Sequence, residues 1–219
     1  MYSESASAKR VKRRIIGRDQ IFFAATAPGF ESLCLQELRT LPLSPAGMRV
    51  VEGGVEFQGR LTDCYIANLN LRTANRILMR IAGVQASRFS ELERTSCDIP
   101  WELYLKPGCP LKVHTTTRRC RLYHTDAVSE RLLAAATGRL GSGLSAVAEY
   151  DSVPQTIFVR GIDDRFTVSI DSSGDHLYKR GLKTFIGQAP LRETTAAAAL
   201  MLAGYRSGQT LVDPMCGSG

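Results

Sequence analysis

The chain has 219 residues, 28 Lys and Arg against 21 Asp and Glu for a formal charge of +7, 44% apolar side chains and 7% aromatics. This composition excludes a wholly disordered chain, and the lack of an 18-residue apolar run excludes a helical membrane span. The length admits one large domain or two small ones.

The charge is unevenly placed. Residues 1–18 carry Lys9, Arg10, Lys12, Arg13, Arg14 and Arg18 against the single acid Glu4, so most of the positive balance sits in this lead-in. It has no apolar core or small-residue cleavage site of a secretory signal, and it is expected to be a disordered, solvated tail. An accessory nucleic-acid arm is the alternative reading.

Gln20 to Thr26 is predicted as a buried strand, ended by Pro28-Gly29. Phe30, Leu33, Cys34, Leu38 and Leu41 then recur at helical spacing and define one apolar face. Arg49 to Gln58 holds two β-type runs around Gly53-Gly54, a hairpin. Leu61, Cys64, Tyr65 and Leu69 form a second helical stripe, followed by a strand over Ile77 to Val84. Strand, helix, hairpin, helix, strand is the order of a ferredoxin-like α+β unit.

Pro100-Trp101 opens a short helix that Lys106-Pro107-Gly108 stops. Leu111, Val113 and Thr115 alternate with Lys112 and His114, predicting a strand with one polar face. Thr125 is placed to cap a helix with Val128, Leu132 and Ala136 on its buried side, and Gly141-Ser142-Gly143 breaks the chain. Strands over Thr156 to Arg160 and Arg165 to Asp171 are joined by a turn at Asp163-Asp164, with Phe166, Val168 and Ile170 inward and Thr167, Ser169 and Asp171 outward. Residues 176–188 read as a polar linker. Pro190 suits a first helical position, and Leu191, Ala198 and Leu202 mark the buried face of a helix ending at Gly204, before a short strand at Thr210-Leu211-Val212.

Six cysteines at 34, 64, 97, 109, 120 and 216 include no Cys-x-x-Cys pair, and His114, His124 and His176 have no metal-ligand spacing. Free thiols in a reducing cytoplasm fit this pattern, with Cys34 and Cys64 as small core residues and no metal site. Asp163-Asp164 suits a turn better than acid/base chemistry, because adjacent strand residues point to opposite faces.

The terminal Asp213-Pro214-Met215-Cys216-Gly217-Ser218-Gly219 places an acid and a Gly-x-Gly turn after a strand. Nucleotide-type cofactors are commonly held this way at the edge of a doubly wound sheet, since glycine lets the backbone approach the ligand. No Lys follows the glycines, which excludes a P-loop. A local acid-free stretch, Leu111 to Thr125, carries Lys112, Arg118, Arg119 and Arg121 interleaved with His114, Tyr123 and His124. Phosphates pair with such cations, and unpaired bases stack on such rings. A solvated surface loop is the plain alternative. Lys179 and Arg180 form a second basic pair, with a salt bridge to Asp175 or Glu193 as its structural reading.

The terminal string, preceded by Ala189-Pro-Leu-Arg-Glu-Thr-Thr-Ala-Ala-Ala-Ala199 and Leu177-Tyr-Lys-Arg-Gly181, resembles the THUMP-containing RNA guanine methyltransferases. Phe23-Ala-Ala-Thr-Ala-Pro-Gly-Phe-Glu-Ser-Leu33 and Gly53-Gly-Val-Glu-Phe57 extend the resemblance upstream, to roughly residues 20–219. The likeness is strongest to the bacterial enzymes that methylate the guanine exocyclic amine in large-subunit (23S) ribosomal RNA; related enzymes act on transfer RNA. It implies a basic tail over 1–18, a ferredoxin-like domain over 19–60, a THUMP domain over 61–175, a linker over 176–188, and the first helix and strand of a Rossmann-like class I methyltransferase domain over 189–219. It further implies S-adenosylmethionine (SAM) as cofactor, held by Asp213, Pro214, Cys216, Gly217 and Gly219, with Asp213 meeting the methionine amino group. Pro190, Leu191, Arg192 and Glu193 match the helix beside that site. RNA is the implied partner, and the cytoplasm the implied location. The family's catalytic Asn-Pro-Pro-Tyr segment is not among these residues, so the chain by itself is expected to be inactive. A stand-alone RNA-binding module without catalysis is the competing class.

Overall fold

A computed structural model describes residues 6–43, 46–140, 153–181 and 191–216. In chain order the elements are helix α1 (Ala6–Val11), continued by a π-helical turn over Lys12–Ile16; strand β1 (Gln20–Thr26); α2 (Glu31–Thr40); β2 (Ala46–Val51); β3 (Gly54–Gly59); α3 (Leu61–Asn70); β4 (Ala74–Gln85); and α4 (Phe89–Cys97). A 3₁₀ turn at Trp101–Leu103, β5 (Leu111–Arg118), α5 (Thr125–Leu140), β6 (Gln155–Ile162), β7 (Arg165–Asp171) and α6 (Glu193–Leu202) complete the order. No helix among the described residues is long and apolar enough to cross a membrane. The architecture is mixed α+β.

The chain divides into two compact units, one of Met1–Ile21 with Leu78–Gly174, the other of Phe22–Ile77 with Asp175–Gly219. In the second unit the strand order is β2-β3-β1-β4, the arrangement a βαββαβ chain adopts in a ferredoxin-like sheet. Helix α3 and the start of β4 complete that pattern, past the boundary expected at residue 60. Phe22, Leu38, Val55 and Phe57 are fully or almost fully buried, with the Phe22 and Phe57 rings 5.4 Å apart. The hairpin forms as expected: Val51 pairs with Gly54, and Arg49 lies opposite Glu56 and bonds its carboxylate through Nε at 2.8 Å. Gly54 has to be glycine, because a Cβ there would run into the Ala24 carbonyl and the Phe23 ring.

Cys34 and Cys64 are core residues, as their spacing suggested, and burial pushes the Cys34 thiol up to about 12. Glu37, on the same buried side of α2, accepts from the Arg72 and Thr73 amides at 3.0 Å, from Arg72 Nε at 2.8 Å and from Thr73 Oγ1 at 2.9 Å. The stripe expected on α3 is corrected: Tyr65 and Leu69 are exposed, while Asp63, Cys64 and Ala67 are buried. The face that packs follows the small Cys64 and Ala67, and Asp63 is drawn inward because its carboxylate accepts the Arg60 amide at 2.7 Å.

In the first unit the strand order is β4-β7-β6-β5, with β5 parallel to β6 through the α5 crossover and the other pairs antiparallel. One face of this sheet packs against α4 and α5, and the core joins Val84, Leu92, Trp101, Val128, Leu132, Ile157, Val159, Phe166 and Val168. Helix α4 was not expected; Leu92 is its only fully buried apolar residue, with Phe89 one turn earlier packed against the same core and Ser96 buried beside it. Ser169 and Asp171, expected to face solvent, are buried. β7 is an interior strand between β4 and β6, which shields both of its faces more than an edge strand's.

Residues 6–16, expected within a disordered basic tail, are helical. Ile15 is buried, and Arg10 reaches Glu102 at 3.0 Å, 92 residues away in sequence. The Gln20 side-chain amide donates to the Arg14, Ile15 and Arg18 carbonyls and closes the C-terminal end of the turn. Glu102 also accepts from Arg139 at 3.0 Å. These guanidiniums, Arg139 foremost, lower the Glu102 carboxyl from 4.5 to about 2. A depressed carboxylate stabilises the fold fully above its ordinary value and loses that contribution as pH falls towards the depressed one. Protection of the amides over residues 6–16, with exchange rates corrected for the pH dependence of intrinsic exchange, is therefore expected to fall between about pH 4.5 and pH 2; protection that stays unchanged across this range would show that Glu102 is not the tether.

Candidate nucleic-acid interface

Strand β5 alternates strictly along its length: Leu111, Val113, Thr115 and Thr117 are half-buried, while Lys112, His114, Thr116 and Arg118 are exposed. The inner row packs on α5, where Thr115 Oγ1 lies 2.7 Å from Ser129 Oγ. Register carries the outer row across the sheet, because side chains of paired residues share a face. His114 pairs with Phe158, Phe158 with Ser169 and Ser169 with Arg80; Thr116 pairs with Arg160, Arg160 with Thr167 and Thr167 with Gly83; Arg118 pairs with Ile162, Ile162 with Arg165 and Arg165 with Gln85. The face opposite α4 and α5 thus combines Lys112, Arg118, Arg160, Arg165 and Arg80 with a stacked His114–Phe158 pair, centroids 5.4 Å apart. The space over Gly83 is open, with nothing within 4 Å of where its Cβ would stand. Arg80, Arg160 and Arg165 were missed by the sequence reading. Arg80 lies far from Arg160 and Arg165 in the chain, and all three lie far from Lys112 and Arg118, so only the strand register brings them together.

Between β5 and α5 the loop bends sharply at Arg119, whose φ is 52°. Its guanidinium makes a bidentate pair with Asp163 at 2.7 and 2.8 Å. The Arg121 amide donates to Asp164 at 2.6 Å, and its side chain approaches the same carboxylate at 3.6 Å. Asp163 and Asp164 do form a tight turn, both at positive φ, 50° and 61°. The additional role of this pair, holding the arginine loop, was not foreseen. Arg119 lowers the Asp163 carboxyl below its ordinary range. Leu122 is buried and pins the loop, leaving Tyr123 exposed with its ring 4.1 Å from that of His124. Helix α5 starts at Thr125, and the Val128 amide bonds the His124 carbonyl at 3.1 Å, so His124 occupies the capping place expected of Thr125. All seven candidates between 112 and 124 thus lie on one strand and the loop that follows it.

The second basic pair divides. Lys179 lies 3.8 Å from Asp175, the structural alternative named for it. Arg180 donates to the Leu69, Asn68 and Leu71 carbonyls at 2.7, 3.1 and 2.7 Å, closing the C-terminal end of α3. Leu177 and Thr194 both bond Asn75, and Arg192 stands over the Tyr178 ring at 5.6 Å, so residues 175–181 are anchored within their own unit.

The segment expected to hold the cofactor is only partly within the described residues; Pro190, Gly217 and Gly219 lie outside them. Helix α6 begins at Glu193 and buries Thr194 and Ala198, but Leu191 and Leu202, expected on its packed face, are exposed. Its buried contact is made by small residues near its start. Thr210-Leu211-Val212 is not a strand, and Leu211 and Val212 are exposed. A strand exists only through pairing, and no described strand lies beside it. Asp213 accepts the Met215 amide at 2.9 Å, closing a turn on itself, and Pro214 and Cys216 are exposed. As placed, the described part of this segment does not form a cradle for SAM.

Residues 21–78 match the RlmL ferredoxin-like domain family, and residues 180–219 match the RMKL-like methyltransferase domain family. Ribosomal RNA large subunit methyltransferase K/L of Allochromatium vinosum is 35% identical over 213 residues, covering 92% of this chain and 28% of that protein. Among solved structures, a Listeria monocytogenes protein described as a predicted N6-adenine-specific DNA methylase aligns with a TM-score of 0.82 at 28% identity, covering 92% of this chain and 53% of the other. SMU.472 complexed with SAH aligns with a TM-score of 0.78 at 29% identity, covering 91% and 53%. The chain spans little more than a quarter of the K/L relative and about half of each of these solved chains. Residues 21–78 are thus similar to the RlmL ferredoxin-like domain family and residues 180–219 to the RMKL-like methyltransferase domain family.

Proposed function

We propose that this chain is the RNA-recognition part of a SAM-dependent methyltransferase that modifies the guanine exocyclic amine of large-subunit ribosomal RNA in the cytoplasm. In this reading the first unit supplies a THUMP-type RNA-binding surface and residues 189–219 open the methyltransferase domain. Asp213, Pro214, Cys216, Gly217 and Gly219 contribute to the SAM site once the rest of that domain surrounds them. SAM would supply the methyl group, and the residues of this chain would position the RNA. The K/L relative's name supports ribosomal RNA as the substrate.

The observation that carries the RNA reading is the outer sheet face, where Lys112, Arg118 and Arg165 are exposed around the His114–Phe158 stack. Cations at strand spacing suit phosphates, and the paired rings offer a surface for an unpaired base. Arg119, Arg121, Tyr123 and His124 extend the same surface into the loop. Arg180, and to a lesser degree Lys179, are held by contacts of their own and lie outside the core of the proposed interface.

Lys112→Ala/Arg118→Ala is expected to weaken binding to a structured ribosomal RNA fragment about tenfold or more and to lower the salt slope by about 2, since each lost phosphate contact removes close to one released counterion. Fluorescence anisotropy titrations at several salt concentrations measure both. No binding by the unaltered chain at low salt would overturn the RNA reading.

A further inference from the structure

The N-terminal helical segment lies before both family matches, which begin at residues 21 and 180. Over residues 6–18 it carries Lys9, Arg10, Lys12, Arg13, Arg14 and Arg18 and no acid. Like charges three and four residues apart on a helix are destabilising, by about 0.2–0.5 kcal/mol per pair. Lys9 with Lys12 and Arg13, and Arg10 with Arg13 and Arg14, are such pairs, and an isolated helix this short is marginal even with ideal residues. The helix is nevertheless formed, because its own unit holds it: Ile15 is buried, Arg10 is bonded to Glu102, and Gln20 closes its end. The side chains used for docking leave Lys9, Arg13, Arg14 and Arg18 exposed. The result is a fixed ridge of cations where the sequence alone suggests a mobile arm.

We propose that residues 6–18 form a rigid phosphate-binding ridge that contacts the sugar-phosphate backbone of an RNA duplex, additional to the β5 face. The choice of RNA among polyanions rests on the function proposed above. A chain of phosphates is the complement of cations held at fixed spacing, and it relieves the repulsion among them. An anionic bilayer is the weaker fit. Basic helices that bind membranes insert a broad apolar face, and here Ile15 is buried against the protein and Ile16 is a single exposed large apolar residue among the cations. A ridge held in place also loses less conformational freedom on binding than a disordered arm would.

The test compares the full chain with Lys9→Ala/Arg13→Ala/Arg18→Ala and with the Lys112→Ala/Arg118→Ala variant, using anisotropy of a labelled RNA hairpin over a salt series. The ridge variant retains Arg10, Ile15 and Gln20, and alanine favours helix, so its circular dichroism should match that of the unaltered chain. Its salt slope is expected to fall by about 2–3 and its Kd near 0.1 M salt to rise about tenfold or more. An unchanged slope and Kd, with the β5 variant still impaired, would overturn the ridge and leave the RNA reading standing. Absence of hairpin binding by the unaltered chain would overturn both. Binding to phosphatidylserine vesicles that the ridge variant abolishes, with RNA binding unaffected, would reassign the ridge to a membrane and overturn the proposal.

Discussion

Glu37→Ala is expected to destabilise the unit that contains α2 by about 3–5 kcal/mol, because it strands several donors at once. The carboxylate is 4% exposed, and it accepts from two backbone amides, a hydroxyl and a guanidinium nitrogen. Arg72 is largely exposed and can turn to water, but Thr73 is fully buried and cannot. A buried donor left without an acceptor costs about 1–3 kcal/mol, and at least the Thr73 amide and hydroxyl are in that position. Glu37→Gln keeps the shape and one acceptor but directs an NH₂ at the same donors, so an intermediate loss of about 2 kcal/mol is expected. Urea denaturation followed by far-UV circular dichroism measures both, and a Glu37→Ala midpoint within error of the unaltered chain would show that the network is only decorative.

Trp101→Ala is expected to cost the other unit about 3–5 kcal/mol, the range for removing a large buried aromatic. Trp101 is the only tryptophan and is fully buried among the residues of that core, with Nε1 donating to the Ser96 carbonyl at 3.0 Å. That bond joins the end of α4 to the turn that follows it, so the ring fixes local geometry as well as filling space. Trp101→Phe separates the two contributions: most of the packing remains, the hydrogen bond is lost, and a cost of about 1–2 kcal/mol is expected. Equal effects of the two substitutions on the denaturation midpoint would assign the stabilisation to the hydrogen bond instead of the packing.

Where local pattern determines structure, the sequence was readable. Strand β1 has the limits its composition indicated, the Gly53-Gly54 hairpin forms, and the alternation over Leu111 to Arg118 appears as alternating burial. Features fixed by partners distant in the chain were not readable. The helix over residues 6–16 depends on Glu102, Arg80 reaches the outer face only through β7, and Glu37 is indistinguishable in sequence from a solvated helix acid. Pattern also misled where small residues do the packing, as on α3 and α6, because the large apolar residues nearby draw the eye to the wrong face. Of the candidate site, the strand and loop between 112 and 124 were legible as a cluster of cations and rings. The opposing carboxylates of the next hairpin were not, since they stand 44 and 43 positions along the chain from the arginines they hold.

Those carboxylates change what the loop offers to an incoming ligand. Arg119 already has a bidentate anion in Asp163, and the Arg121 amide already has one in Asp164. The turn is thus an internal counterion, and any phosphate arriving there competes with a tethered carboxylate at high local concentration. A single small anion gains little from such an exchange, whereas a ligand fastened at neighbouring points along β5 competes at a higher effective concentration. Under the function proposed above, the loop is expected to respond less to free phosphate than to an extended polyanion that has already engaged the strand beside it.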